Sequence, residues 1–213
     1  ESVPLSDLPV TKLEPTAEES QHTTHIAVID QYGNIVSTTN TLGNGWGCKF
    51  MAPGLGFFYN SHINNLDHEN PDSPDYVMPG KRVRSTISPS LVLQDGNPIM
   101  AVGSPGSLAI PPAVATIINN VLLYGMNVQQ AINEPRAMAI NRSSMDSPAR
   151  VSIEQPRFDP DLVAQMEGIG YEMKDVGEYN MAVGGIAAIY LDRDNGIFYA
   201  GADPRRGYKA LAY

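Results

Sequence analysis

Thr23-Thr24-His25-Ile26-Ala27-Val28-Ile29-Asp30, then Tyr32-Gly33-Asn34, then Ile35-Val36-Ser37-Thr38-Thr39-Asn40-Thr41: two β-branched runs flank a turn, and this stretch governs the reading of the chain. β-Branched side chains fit a pleated sheet, and the turn residues between the runs predict a β-hairpin. Upstream, residues 1–22 hold Pro4, Pro9, Pro15 and the Glu18-Glu19 pair without periodicity, so they read as a linker or tail. Composition changes abruptly at Thr23. A threonine hydroxyl is a poor nucleophile at neutral pH. Placed at a new chain start it gains a base, because a free α-amine has a pKa of about 7.7–8 and can take the hydroxyl proton. That arrangement requires cleavage between His22 and Thr23.

Working downstream, residues 42–55 are glycine-rich and irregular, with Trp46, Phe50 and Met51 among the glycines. These apolar residues either wall a pocket or pack in a core against a helix layer. Gly56-Phe57-Phe58-Tyr59 reads as a short strand, and residues 61–80 as an exposed Asn/Asp/Pro loop. A second hairpin is predicted from Ile87–Gln94 and Pro98–Val102 around Asp95-Gly96-Asn97. The tight turn Gly103-Ser104-Pro105-Gly106-Ser107 follows. Ala113, Ile117, Ile118, Val121, Leu122 and Tyr124 recur at helical spacing up to Gly125, and Val128–Asn133 is a short helix before Pro135. Val151–Glu154 is a predicted strand. Pro160–Met166 is a predicted helix with Asp159 as N-cap, and Ile186–Asp192 with Ile197–Ala202 a last hairpin. Periodicity therefore implies a mixed α/β chain whose sheets are hairpin-linked and antiparallel.

The composition is globular: of 213 residues, 42% are hydrophobic and 17% charged. The net charge of −9 and scattered basic residues argue against nucleic acid as a partner. The single cysteine, Cys48, excludes an internal disulfide. No apolar run approaches the roughly 20 residues of a membrane-spanning helix. The polar, acidic opening Glu1–Glu19 shows no signal-peptide pattern. His62 and His68 near Asp67 fit no strong metal spacing, and no metal or cofactor is expected.

Four segments, taken in order, resemble the small catalytic subunit of the γ-glutamyltranspeptidase family: the run opening at Thr23-Thr24-His25, Lys81-Arg82-Val83-Arg84-Ser85-Thr86-Ile87-Ser88-Pro89-Ser90, Gly103-Ser104-Pro105-Gly106-Ser107, and Gly201-Ala202-Asp203-Pro204-Arg205. The resemblance covers residues 23–213. It implies an α+β, four-layer αββα sandwich of the N-terminal-nucleophile hydrolase type, with 1–22 as the tail of an upstream large-subunit region and 23–213 as the catalytic domain. It also implies a precursor that cuts itself, with Thr23 becoming the nucleophile of an acyl-enzyme. Thr41 matches the second threonine, which hydrogen-bonds that nucleophile. Gly106 and Ser107 match the pair whose N–H groups hold the oxyanion, and Ser85 and Thr86 a serine pair that binds the substrate α-carboxylate. The implied partners are the large subunit from the same precursor, which supplies an arginine, a γ-glutamyl or other acyl amide substrate, and water or an amine acceptor. Relatives of this kind are often exported, which implies a periplasmic or extracellular location.

Three departures bear on substrate choice. Gly43 stands where the family has an asparagine two residues after the second threonine. His62-Ile63-Asn64-Asn65 stands where a carboxylate-bearing segment binds the substrate α-amine, with Asn65 at the aspartate position; Asp67 lies just beyond. Ser107 replaces a glycine. An uncharged amide holds an ammonium less tightly than a carboxylate does. Two rival readings therefore stand beside γ-glutamyl transfer: an acylase of the same family with another acyl donor, and an uncleaved, non-catalytic scaffold.

Overall fold

The computed structural model describes residues 23–140 and 149–212. The 1–22 linker, with His22 of the expected cleavage site, lies outside the described residues. The chain forms two compact units, one of Thr23 with Thr41–Ser85 and one of Thr24–Asn40 with residues 86–213.

The opening hairpin pairs β1 (Thr23–Ile29) with β2 (Ile35–Thr41). Its turn is organised by Asp30, whose carboxylate accepts from the backbone N–H of Tyr32 and Asn34 and from the Asn34 amide. These bonds hold the exposed Asp30 carboxyl below its usual pKa, the Asn34 side chain contributing most. Asp30 N–H donates to Asn34 O across the turn, His25 bonds Thr39, and Thr23 bonds Thr41, each pair equidistant from the turn.

In the larger unit, β3 (Ser90–Gln94), β4 (Asn97–Gly103), β8 (Ala187–Asp192) and β9 (Ile197–Ala202) form a four-stranded antiparallel sheet in the order β3-β4-β8-β9. Helix α1 (Ile110–Leu122) carries Pro111 and Pro112 in its first turn, where a missing N–H costs nothing. It buries Ile110, Ala113, Val114, Ile117 and Val121 in one cluster with Ile99, Met100 and Val102 of β4 and Ile186 and Ala188 near β8. The short α2 (Val128–Asn133) is held by a capping box between Asn127 and Gln130, and it adds Val128, Ala131 and Ile132 to the same core. A three-stranded sheet, β5 (Ala137–Ile140), β6 (Ala149–Ile153) and β7 (Tyr171–Asp175), packs a smaller cluster of Val151, Ile153 and Val163, the last from α3 (Pro160–Gly168). The architecture is thus mixed helix and sheet.

Several sequence expectations need correction. The segment 56–59 is not a strand; it contributes only an isolated bridge, Met51 to Phe58. The strand expected from Ile87 begins at Ser90. Helix α1 stops at Leu122, and Tyr124 lies beyond it, 73% exposed, before Gly125 at φ +68°. Strands β5 and β7 carry too little periodic signal to be read from sequence. The pair β6–β7 is parallel, not antiparallel, because α3 crosses between them and returns the chain in the same direction.

Beneath the core lies a buried ion network. Asp203 Oδ2 accepts from an Arg136 guanidinium nitrogen and, at 2.8 Å, from Ile186 N–H; its Oδ1 accepts from Arg205 N–H. Arg205 Nε donates to Glu154 Oε1 at 2.7 Å, and Arg157 donates to Glu154 Oε2 at 3.1 Å. The Arg136, Asp203, Glu154 and Arg205 side chains are all 0% exposed. Burial pushes the Glu154 carboxyl up, but the hydrogen bond and charge of Arg205 outweigh it and hold the group below its usual pKa.

Candidate active site

Thr23 is the first residue of β1 and Thr41 the last of β2, so the hairpin brings them side by side. Thr23 Oγ1 donates to Thr41 Oγ1 at 2.9 Å, and Gly43 N–H donates to the same oxygen at 3.0 Å. Thr41 therefore links the hydroxyl of Thr23 to the backbone of the following loop.

That loop explains Gly43. Its φ is +86°, a conformation that side chains resist. A Cβ there would stand 2.6 Å from Ser61 Oγ and 3.3 Å from His62 Cδ2, so the space an asparagine would need is filled. Ser61 is buried and braces both strands of the loop: its N–H and hydroxyl donate to Leu42 O, and its hydroxyl accepts from Asn44 N–H. Nothing in the sequence singles out Ser61, because its role comes from a contact across the intervening loop.

His62 to Asn65 form a single 3-10 turn. His62 is half-buried beside Gly43, whereas Asn65 is exposed and its amide donates to Arg84 O at 2.9 Å. The Asn65 amide N–H₂ thus ties the turn to the segment preceding Ser85. Asp67 is turned to its own loop, accepting from Asn70 and Glu69 N–H; these bonds, Asn70 first, hold its pKa down. Among the described residues no three His, Cys, Asp or Glu side chains gather as metal ligands. Ser85 is exposed at the end of the smaller unit, and Thr86, half-buried, opens the next part of the larger one, where Thr86 O accepts from Ser88 Oγ.

The loop containing Trp46, Phe50 and Met51 packs on itself. Trp46 meets Phe58 with ring centroids 5.3 Å apart, and Phe50 stacks on Tyr59 at 5.9 Å. Gly47 is required where the backbone passes against Tyr59 O. Trp46 and Met51 are exposed, whereas Phe50 is half-buried.

In the larger unit, Gly106 (φ +130°) and Ser107 (φ +53°) form the turn that enters a 3-10 segment and then α1. The first N–H groups of such a helical segment lack intrahelical acceptors and sit at its positive end. Ser107 adopts the left-handed region despite its side chain, a strain on the order of 1 kcal/mol. His25, quoted in the sequence only as part of a motif, is 2% exposed, with Nδ1 2.8 Å from Thr39 Oγ1 and its backbone N–H donating to Tyr208 OH. Burial lowers its pKa from 6.5 to about 4, so the ring is neutral at physiological pH.

The gamma-glutamyltranspeptidase family model matches residues 3–213. The chain belongs to that family. It is 30% identical over 198 residues to the Glutathione hydrolase proenzyme of Bacillus subtilis, a match covering 93% of this chain and 32% of that protein. It is 36% identical over 118 residues to the Acylase ACY 1 proenzyme of a Pseudomonas species, covering 55% of this chain and 21% of that protein. Among solved structures, a mutant of Helicobacter pylori gamma-glutamyltranspeptidase aligns with a TM-score of 0.72 and 28% identity, over 86% of this chain and 100% of that one. The chain spans about a third of the length of the Bacillus relative.

Proposed function

We propose that Thr23 is the nucleophile of a self-processed N-terminal-threonine amidohydrolase, that residues 23–213 are its small subunit in a four-layer αββα fold, and that it hydrolyses or transfers γ-glutamyl groups from glutathione-like amides. The observation carrying this reading is the hydrogen bond from Thr23 Oγ1 to Thr41 Oγ1, with Gly43 N–H on the same acceptor. It limits rotation of the Thr23 side chain and leaves hydroxyl lone pairs free to attack.

In maturation, Thr23 Oγ1 attacks the His22 carbonyl carbon, its proton passes to the Thr23 nitrogen as the C–N bond breaks, and water hydrolyses the resulting ester. The freed α-amine then serves as base. In turnover it takes the hydroxyl proton as Oγ1 attacks the substrate amide, and that proton leaves with the departing amine. Water or an acceptor amine then attacks the acyl-enzyme ester, giving its proton through the α-amine to Oγ1 as the ester bond breaks. Gly106 and Ser107 N–H hold the oxyanion, a contribution that reaches 10²–10³ in rate per donor in other hydrolases. Ser85 and Thr86 hydroxyls donate to the substrate carboxylate. They carry no charge, so an arginine from the large subunit completes that site. The exposed Trp46, Met51, Leu55, Phe57 and Ile63 supply apolar surface for that partner.

A second reading is favoured by Gly43 and by the uncharged Asn65, together with the acylase relative: an acylase whose donor lacks the α-amine. Intact-mass analysis of the full precursor tests the site. A fragment starting at Thr23 is expected, and Thr23→Ala abolishes both cleavage and turnover; a chain that stays whole supports a scaffold, and turnover surviving Thr23→Ala refutes the nucleophile. Faster release from a glutaryl-anilide than from a γ-glutamyl-anilide selects the acylase.

A further inference from the structure

The segment Val183–Ile186 touches two things at once. On one side is the ion network: Asp203 Oδ2 accepts from Ile186 N–H at 2.8 Å, Arg136 donates to Gly184 O at 3.2 Å and to Val183 O at 3.5 Å, and Asp203 N–H donates to Ile186 O at 3.1 Å. On the other side is the Gly103–Ser107 turn. Gly185 N–H donates to Ser104 Oγ at 3.1 Å, and Ser104, wholly buried, donates in turn to Pro105 O.

Gly106 and Gly184 face each other with no room for a side chain on either. A Cβ on Gly106 would stand 3.0 Å from Gly184 Cα, and one on Gly184 would stand 2.9 Å from Ser104 Oγ and 3.2 Å from the Ala113 methyl. Gly184 also holds φ +85°, which favours glycine. Gly106 thus packs on the Gly184 backbone, with the Ser104 hydroxyl and the Ala113 methyl closing the contact, and such close-packed groups transmit a shift instead of damping it. The ion network, in turn, is anchored to α2 and its C-terminal end: Arg136 and Arg205 both donate to Ile132 O, and Arg205 to Glu134 O.

We infer that Ser104 and Asp203 are positioning residues for the reaction. Asp203 fixes the height of Val183–Ile186 against the core. Ser104 couples that segment to the turn, and together they determine where the N–H groups of Gly106 and Ser107 point. The inference rests on the reading of those N–H groups as oxyanion donors. A donor held about 1 Å out of place loses on the order of 10²-fold in rate without losing substrate binding. A buried ion network with no such duty would affect only the fraction of chain that folds.

The test uses the full precursor carrying Ser104→Ala, which removes one hydroxyl and leaves no charge unpaired. Turnover is expressed per processed chain, the processed fraction being read by intact mass. Ser104→Ala is expected to lower kcat per processed chain roughly 10- to 100-fold with KM changed less than about threefold. Asp203→Asn is expected to show the same kcat-specific loss in whatever fraction folds. A processed Ser104→Ala enzyme with kcat within about twofold of the parent overturns the inference, as does a loss confined to the processed fraction. If Asp203→Asn fails to fold, Ser104→Ala alone decides. Thr23→Ala run in parallel separates the two claims: turnover surviving it removes the site reading itself, whereas an inactive Thr23→Ala beside a fully active Ser104→Ala removes only the positioning role.

Discussion

Replacing Thr41 by valine removes one oxygen and leaves the shape nearly unchanged. That oxygen accepts two hydrogen bonds, from Thr23 Oγ1 at 2.9 Å and from Gly43 N–H at 3.0 Å. Each is worth roughly 0.5–1.5 kcal/mol net, so the pair amounts to about 1–3 kcal/mol. If both act in the transition state for self-cleavage, the rate falls on the order of 5- to 150-fold. Valine matches threonine in volume, so no cavity term is added, but the two lost hydrogen bonds lower the thermal midpoint by roughly 2–12 °C. The assay is the time course of the Thr23-initiated fragment by intact mass, from freshly purified precursor at fixed temperature. Thr41→Ser keeps the oxygen and is expected to cleave within about threefold of the parent. A Thr41→Val precursor that cleaves as fast as the parent refutes the argument that this contact orients Thr23.

Gly103→Ala places a methyl 2.3 Å from His25 Nδ1 and Cε1, so the ring must leave its place against β4. Overpacking of this kind costs about 1–3 kcal/mol, a drop in Tm of roughly 2–12 °C; His25→Ala combined with Gly103→Ala should lose less than the two single changes added together. Glu154→Gln removes one of the two buried carboxylates that face Arg205 and leaves Asp203 at 3.2 Å, for a loss of about 1–3 kcal/mol in chemical denaturation. The exposed Arg150–Glu172 pair at 2.8 Å offers the contrast, since Glu172→Gln is expected to cost under about 1 kcal/mol. Stability should also depend on pH through His25. Its folded pKa is lowered to about 4 from 6.5, so between those values the unfolded chain binds a proton that the folded one refuses. Stability then falls as pH drops through that window and levels off below it. Urea midpoints at pH 7 and pH 5 measure the fall, and in His25→Gln the part due to this ring should vanish.

The hairpins were legible because each is written locally: β-branched runs and a turn residue set suffice for β1–β2, β3–β4 and β8–β9. Helix α3 was legible from Asp159 and Pro160, which mark its start chemically. Strands β5 and β7 were not, since Ala137–Ile140 and Tyr171–Asp175 acquire their state from partners on β6 and carry no alternation of their own. The same division runs through the candidate site. Thr23 and Thr41 stand out because a hairpin joins them. Ser61, Ser104 and Arg136 act through contacts between segments distant in sequence, and none of them differs in type or spacing from an ordinary serine or arginine. His25 lay inside a recognised motif, yet its burial against Gly103 could not be read from the motif alone.

The Asp30–Asn34 turn acts as a ruler for the pairing of Thr23 with Thr41 at the far ends of its strands. Its length decides which residue faces Thr23, and a one-residue insertion there would slide a different side chain opposite and swap inward for outward faces along the slipped strand. A change in its residue count is therefore felt at Thr23 and Thr41, although the turn lies at the opposite end of both strands.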